Sequence, residues 1–239
     1  MPDPRARLIV DSIPPAGSRI RLPAAEASHV RARRLRVGAL VALFDGSGKQ
    51  ARARVAALGG GRVELVVESL VEAAAPDEPE MILLVGAVRP ERLSWLVEKA
   101  TELGVRRIVL TRSGRTQSFR ASEGVVSRLE RVARAAAKQS EQERWPGIVG
   151  PTSFADALGH ASAERFLLDL DGEDLPSRLD APGAAVLVGP EGGWTPEERE
   201  AARRAGWRPA RLPAGKLRTE TAAVAAIVLL RAAMEKRQP

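Results

Sequence analysis

The chain has 239 residues, a net charge of +7 and 44% hydrophobic residues, which suits one large or two modest globular domains. It contains no cysteine and only two histidines, which excludes disulfides, thiolate nucleophiles, iron–sulfur clusters and metal sites built from cysteine or several histidines. Any chemistry is therefore expected to come from carboxylates, hydroxyls, arginines and backbone groups, with no metal.

The excess positive charge is concentrated near the N-terminus. Residues 1–75 carry 12 Lys and Arg against 7 Asp and Glu, whereas residues 76–239 carry 25 against 23. This imbalance favours a polyanion-binding module beside a more neutral domain, although an arginine-rich proteome would explain it equally well. No apolar run reaches the roughly 18 residues that span a bilayer, and the N-terminus lacks a signal-peptide pattern. We therefore expect a cytoplasmic protein with no membrane partner.

Residues 5–72 have the pattern of short strands joined by turns. Alternating or clustered apolar residues predict strands, and Asp45-Gly46 is a hairpin signal. One or two helical turns are predicted over residues 26–34. The strands are predicted at residues 7–10, 19–22, 39–44, 51–58 and 62–70. These elements predict a small β-barrel-like module, followed by an Ala- and Pro-rich linker at residues 73–79.

Strands and helices alternate from residue 80 onward. The predicted strands are residues 81–88, 107–111, 165–170, 184–188 and 211–212, and the predicted helices are residues 91–103, 125–140, 196–205 and 219–235. Such alternation is typical of an α/β domain with a parallel sheet covered on both faces. The sequence thus predicts two domains, residues 1–73 and residues 74–239.

A loop rich in glycine and proline follows the predicted strand at residues 184–188. Gly189, Gly192 and Gly193 surround Pro190 and Glu191, and a predicted helix follows. A plain strand-to-helix turn needs fewer special residues, so this pattern favours a ligand loop. It matches neither the dinucleotide fingerprint nor the phosphate-binding P-loop, which argues against nicotinamide, flavin and nucleoside triphosphate enzymes.

A second loop of this kind lies between the last strand and the last helix. Leu212 to Ala222 runs through Gly215 into a helix start, where Thr219 or Thr221 can cap and Glu220 suits the positive end of the helix. A capping sequence with a solvated arginine at position 218 is the simpler interpretation of this loop alone. Two such loops at one sheet edge favour a shared ligand site.

Four arginines cluster at the end of the predicted helical turn in the N-terminal module: Arg31, Arg33, Arg34 and Arg36. Guanidinium groups suit phosphate contacts, which would make this cluster an RNA-binding surface, although a solvated charged turn has the same composition. The aromatic content is only 3%, which argues against base stacking on an aromatic platform.

Six segments together resemble the ribosomal RNA small subunit methyltransferase E family, which methylates uridine N3 in 16S rRNA. They occur in the order of the family: Arg36–Gly38, Leu43–Gly46, Leu96–Val105, Ala137–Ser140, Val188–Trp194 and Leu217–Ala222. The resemblance implies a PUA-like β-barrel for RNA over residues 1–73 and a SPOUT domain with a trefoil-knotted parallel sheet over residues 74–239. It also implies a homodimer whose substrate is 16S rRNA within the assembled small subunit.

By matching position, the resemblance implies that S-adenosylmethionine lies between the loops described above. The cofactor-binding residues would be Leu168, Leu170, Val188, Gly189, Pro190, Glu191, Gly192, Leu212, Gly215, Leu217, Arg218 and Thr219. Arg218 is the candidate for stabilising charge on the uracil oxygens. Glu191 or Glu220 could be the base, either could be structural, and the base could instead come from the partner chain of a dimer.

Three parts of the chain depart from the family pattern. They are Arg89–Arg92 at the start of the first predicted helix of the second domain, Arg112–Thr116 after the next strand, and Lys138 before Gln139. Three other functions fit parts of the sequence. A knotted methyltransferase that acts on tRNA would have similar cofactor loops, and a non-catalytic RNA-binding protein could retain the fold. A metabolic oxidoreductase is the weakest alternative, because the nucleotide fingerprint is missing.

Overall fold

The computed structural model describes residues 4–71, 79–86, 88–115, 123–160 and 162–235. The chain forms two compact units, Met1–Pro76 with Ala137–Trp145, and Asp77–Ala136 with Pro146–Pro239. Most of the predicted linker at residues 73–79 lies outside the described residues, and the predicted boundary between residues 73 and 74 stays a prediction. Nothing in the sequence pattern predicts that residues 137–145 belong to the first unit.

The described residues of the first unit include a five-stranded sheet and a helix. Its elements are β1 (Arg7–Ile9), β2 (Arg19–Arg21), α1 (Ala24–Ala32), β3 (Leu40–Phe44), β4 (Gln50–Gly59) and β5 (Arg62–Val71). The strand order is β1-β3-β4-β5-β2, parallel between β1 and β3 and antiparallel elsewhere, with β1 and β2 at the edges. Alternate residues of β4 and β5 enter the core, as the period of two in the sequence predicts. The five predicted strands are therefore confirmed.

Helix α1 ends in a Schellman motif that contains no glycine. The N–H of Leu35 donates to the carbonyl of Val30 at 3.1 Å, and the N–H of Arg34 donates to that of Arg31 at 2.9 Å. Arg34 adopts a φ of +52° at the position that glycine usually occupies. Val30 is fully buried, and Leu35 packs against the same core, so the motif fixes the arginine cluster to the unit.

Residues 137–145 complete the first unit from the middle of the chain. The Lys138 ammonium donates to both carboxylate oxygens of Glu26 at 2.8 Å, and Arg7 donates to the carbonyl of Glu141 at 2.9 Å. The Trp145 ring lies against Gly46, where it leaves no room for a Cβ atom. This contact explains why the hairpin signal Asp45-Gly46 needs its glycine.

The second unit is a six-stranded sheet with helices. Its elements are β6 (Glu80–Gly86), α2 (Pro90–Glu102), β7 (Arg107–Thr111), α3 (Glu123–Gln139, whose last residues count with the first unit), β8 (Gly147–Thr152), α4 (Phe154–Leu158), β9 (Glu164–Asp174), β10 (Gly183–Val188), α5 (Pro196–Arg204), β11 (Arg208–Arg211) and α6 (Thr219–Glu235). The order is β11-β9-β10-β6-β7-β8, and every pair is parallel. The predicted α/β class with a parallel sheet is confirmed.

The central strands position the ends of the sheet. All six residues of β10 are buried, and so are six of the seven in β6, which is typical of strands covered on both faces. Helix α6 packs against β6, β10 and α2. Strand β8 was not predicted, because its glycines and proline weaken the strand pattern, and neither was α4, which has only five residues. The trefoil knot stays a prediction.

Candidate active site

A cavity of about 320 Å³ opens at the carboxyl side of β9, β10 and β11. Three segments form most of its wall, residues 168–171, 188–194 and 210–217, with Thr219 beside them. Ligands of parallel α/β sheets bind at this edge, where the strand ends leave a crevice. Every predicted cofactor-binding residue except Arg218 lines this cavity: Leu168, Leu170, Val188, Gly189, Pro190, Glu191, Gly192, Leu212, Gly215, Leu217 and Thr219.

The glycine loop after β10 is held from two sides. Gly86 at the end of β6 packs so closely against it that an added Cβ would lie 2.7 Å from the Pro190 nitrogen. The Thr219 hydroxyl, at the start of α6, donates to the carbonyl of Gly189 at 2.8 Å. These contacts tie the first loop to the end of the second, as expected for two loops that share a ligand.

The third wall comes from an interruption inside β9, not from its end. Phe166 and Leu167 pair with β11, and the pairing then jumps to Glu173 and Asp174. The residues between them leave this ladder, and residues 168–171 line the cavity. The predicted strand end at residue 170 is therefore wrong, since β9 continues to residue 174. A Cβ on Gly172 would lie 2.5 Å from the backbone nitrogen of Ala210, so this close approach requires glycine.

Two side chains fix the interrupted segment of β9. The buried Trp194 donates from its indole nitrogen to the carbonyl of Leu168 at 3.1 Å, and its ring packs against Phe154 with 5.3 Å between centroids. The Asp169 carboxylate, nearly buried, pairs with Arg199 of α5 at 2.6 Å. The wall is thus held by a buried ring and an ion pair, which keeps its backbone groups in place without a ligand.

A fourth contribution to the wall comes from the loop after β7. Arg115 lines the cavity and donates to the carbonyl of Gly192 at 2.8 Å. Its neighbour Gly114 donates its N–H to Glu198 at 2.8 Å, and Glu198 also forms the capping box of α5 with Thr195. Arg115 was not among the predicted site residues, although the Thr-x-x-Glu signature of the capping box can be recognised in the sequence.

Charged groups of both signs surround the cavity. Asp169, Asp171 and Glu191 contribute carboxylates, and Arg115 and Lys216 contribute cations.

At the rim of the cavity, Arg211 donates to Asp174 at 2.7 Å, and this hydrogen bond holds the pKa of Asp174 below its ordinary value. Because carboxylates and cations both line the cavity, it can bind a ligand that carries both positive and negative groups.

The three catalytic candidates occupy different environments. Glu191 lines the cavity with an exposed carboxylate, whereas Glu220 is 9% exposed in the first turn of α6 and does not line it. Arg218 is exposed beside the wall residues Leu217 and Thr219, and among the described residues nothing pairs with its guanidinium. Arg92, which belongs to a segment that departs from the family pattern, pairs with both Glu191 and Glu220.

The four predicted RNA-binding arginines lie at the end of α1 and are exposed. Arg31 donates to the carbonyl of Gly61 at 2.6 Å, and Arg33 donates to that of Arg5 at 3.2 Å. The side chains of Arg34 and Arg36 have no partner in the described part of the chain. The cluster thus divides into two arginines bonded to their own unit and two that remain available.

In the described ranges, no group of three or more His, Asp or Glu side chains is arranged to hold a metal ion. None of the helices in those ranges is long and apolar enough to cross a membrane.

Comparison with known proteins identifies both parts of the chain. Residues 76–231 match the family model of the RNA methyltransferase domain, and residues 22–68 match that of the RNA methyltransferase PUA domain. The matched PUA segment covers most of the five-stranded sheet, and the other segment covers the parallel sheet and the cavity.

Individual relatives share the whole architecture. Ribosomal RNA small subunit methyltransferase E of Mycobacterium bovis is 30% identical over 234 residues, which cover 91% of this chain and 88% of the relative. The enzyme of that name from Neisseria gonorrhoeae, solved bound to S-adenosyl methionine, is 27% identical with a TM-score of 0.84 over 96% of this chain and 98% of that one. A probable rRNA-methyltransferase from Porphyromonas gingivalis has the same identity and coverages and a TM-score of 0.85. The chain therefore belongs to the ribosomal RNA small subunit methyltransferase E family.

Proposed function

We propose that this chain transfers the methyl group of S-adenosylmethionine to N3 of a uridine in 16S rRNA of the small ribosomal subunit. The observation that carries this proposal is the cavity at the carboxyl side of β9, β10 and β11. Its walls are the loops that the family resemblance assigns to the cofactor, in a chain of the same fold as a relative solved with that cofactor bound.

The residues around the cavity suit the cofactor. A volume of about 320 Å³ lies within the usual range for small-ligand sites. Leu168, Leu212 and Leu217 offer apolar surface to an adenosine group, and the loop backbone offers hydrogen bonds. The nearby carboxylates and cations match the ammonium, sulfonium and carboxylate groups of the ligand. The bound cofactor supplies an activated methyl group, so no metal is needed.

The protein must position the uracil ring and stabilise its N3 anion. Uridine N3 carries a proton and becomes a good nucleophile only after losing it. Arg218 is exposed beside the cavity without a partner among the described residues, and it would stabilise the negative charge on the uracil oxygens. Glu191, at the cavity wall, or Glu220, in the first turn of α6, would accept the proton.

The first unit would bind the RNA backbone. Arg34 and Arg36 are exposed, and their guanidinium groups have no partner in the part of the chain that the structure describes. Unpaired guanidinium groups contact phosphates without reading sequence, so these residues would supply affinity and not the choice of nucleotide.

The enzyme would act in the cytoplasm as a homodimer. Support for the dimer comes from large apolar side chains that remain exposed on two helices packed against each other: Trp95 of α2 at 44%, and Val228 and Leu229 of α6 at 46% and 37%. Apolar surface on neighbouring helices is typical of an interface with a second copy.

The test uses small ribosomal subunits from a strain that lacks this gene. Purified protein and S-adenosylmethionine are added, and the modified nucleosides are identified by mass spectrometry. Appearance of 3-methyluridine in 16S rRNA is the expected result. 16S rRNA extracted with phenol from the same subunits provides the control that separates the assembled particle from free rRNA as substrate.

Two other outcomes would overturn parts of the proposal. Cofactor binding without methyl transfer to the subunit would overturn the substrate, and tRNA would be tested next. Absence of both cofactor binding and transfer would favour a non-catalytic RNA-binding protein.

A further inference from the structure

We propose that Arg92 is a positioning residue of the active site, which joins the two cavity loops by pairing with Glu191 and Glu220. Arg92 lies in the first turn of α2, Glu191 lies in the loop after β10, and Glu220 follows the loop after β11. One guanidinium nitrogen contacts a Glu191 carboxylate oxygen, and Nε lies 3.6 Å from Oε1 of Glu220. This inference rests on the proposed function, because it concerns the affinity of the same cavity for S-adenosylmethionine.

The two contacts differ in strength. The Glu191 side chain is 65% exposed, so its contact with Arg92 is screened by water and contributes little by itself. Glu220 is nearly buried, and its Oε2 atom receives no hydrogen bond from any described residue. A buried carboxylate needs a compensating charge, and Arg92 supplies it. The pair with Glu220 therefore fixes the guanidinium, and the fixed guanidinium then holds Glu191.

Arginine suits this role better than lysine. A planar guanidinium presents nitrogens in two directions, so it can contact two carboxylates from different loops at once. The ammonium of lysine would keep the charge that Glu220 needs, but it would hold the loops less firmly. The lysine variant therefore separates charge compensation from joining of the loops.

Neither Arg92 nor Glu220 lines the cavity, although Glu191 does. Loss of Arg92 is therefore expected to act on cofactor affinity through the loops and not through a lost contact with the ligand. The Michaelis constant for S-adenosylmethionine should rise about tenfold, while kcat at saturating cofactor falls less than about threefold, as expected when binding is weakened equally in the ground and transition states.

The experiment compares five proteins by isothermal titration calorimetry with S-adenosylmethionine, by thermal unfolding and by the initial rates of methylation of small ribosomal subunits. These are wild type, Arg92→Met, Arg92→Lys, the double variant Arg92→Met with Glu220→Gln, and Arg89→Met. The last is a matched control, because it removes an exposed arginine from the same helix start, and among the described residues the Arg89 side chain contacts neither loop. The double variant removes both charges together, so it remains folded even if Arg92→Met alone is unstable.

We expect Arg92→Lys to keep the wild-type unfolding temperature and to bind cofactor several-fold more weakly. The double variant should also unfold near the wild-type temperature and bind about tenfold more weakly, and Arg89→Met should bind as wild type does. If Arg92→Lys and the double variant both bound S-adenosylmethionine as tightly as wild type, the positioning role of Arg92 would be overturned and the proposed function would stand. Failure of the wild-type protein to bind S-adenosylmethionine would instead overturn the proposed function, and this inference with it.

Discussion

The arginines around the cavity and the arginines at the end of α1 differ in how many of them are paired. Around the cavity, Arg92, Arg115, Arg199 and Arg211 each contact a carboxylate or a carbonyl of another segment. At the end of α1 in the first unit, Arg31 and Arg33 also donate to carbonyls, whereas Arg34 and Arg36 have no partner in the described residues. Paired guanidinium groups fix loops, whereas unpaired ones keep their charge for a polyanion. The same residue type therefore organises a pocket in one unit and offers a binding surface in the other.

Beside the cavity, Arg218 has no partner among the described residues, and its substitution should have the largest effect. The Arg218→Ala variant should lose about 100-fold in kcat, as expected for removal of one group that stabilises transition-state charge. Its affinity for S-adenosylmethionine should change less than about threefold, because Arg218 does not line the cavity. Methylation rates and calorimetric titration measure the two quantities. Arg203→Ala on α5 is the control, and equal losses of turnover and cofactor affinity in Arg218→Ala would contradict the assigned role.

The cavity wall should tolerate small changes less well than the first unit. In Gly172→Ala, the new Cβ would meet the backbone of β11, so the variant should lose about 1–3 kcal/mol of stability and bind cofactor more weakly. In Gly59→Ala, at the end of β4, the Cβ meets no atom within 4 Å, so stability should stay the same or rise slightly. Denaturant unfolding and cofactor titration compare them. Equal stability of the two variants would show that the close approach at Gly172 is not needed.

The arginine cluster allows a comparison of two double variants that have the same net charge. One variant combines Arg34→Gly with Arg36→Ala, and glycine suits the positive φ at position 34. The other combines Arg31→Ala with Arg33→Ala, so each variant loses two charges. If only the unpaired arginines contact phosphates, the first variant should lower the slope of log affinity against log salt by about 1.4–1.8, and the second by less.

The measurement is RNA binding across a salt series, with wild type alongside. Equal slopes in the two variants would mean that net charge, and not the position of each guanidinium, governs RNA binding. An unchanged slope in both would remove the cluster from the interface.

The smallest expected effect is a pH dependence confined to the first unit. Burial and the neighbouring Lys138 and Arg33 hold the pKa of His29 below its ordinary value of 6.5. The His29 imidazole therefore binds a proton less readily in the folded state than in the unfolded state. Its contribution to the free energy of unfolding is fully present above pH 6.5 and is lost as the pH falls below that value. His29→Gln should remove less than about 1 kcal/mol of acid destabilisation. The measurement is thermal unfolding at pH 7.5 and pH 5.5, with His160→Gln as control. An equal change in unfolding temperature between the two pH values in both variants would contradict the prediction.

Local pattern was enough for most elements of both units. The alternation of β4 and β5 and the uninterrupted apolar run of β10 reflect burial on one face and on two faces, which a sequence records directly. That the two glycine loops line one cavity was also predictable, because glycines and a proline after a strand mark unusual backbone. Arg115 was not, since an arginine in a loop has the same appearance whether it contacts solvent or the carbonyl of Gly192.

By itself, the sequence determined the two-part organisation, the α/β class, the two glycine loops and the basic end of α1. Only the tertiary structure decided that residues 137–145 complete the first unit, that β9 is interrupted at the cavity, and that Arg92 meets Glu191 and Glu220. The physical reason is one of range. Periodicity and turn chemistry depend on neighbours a few residues away, whereas these features depend on contacts between segments that are far apart in the chain and meet only after the sheet has formed.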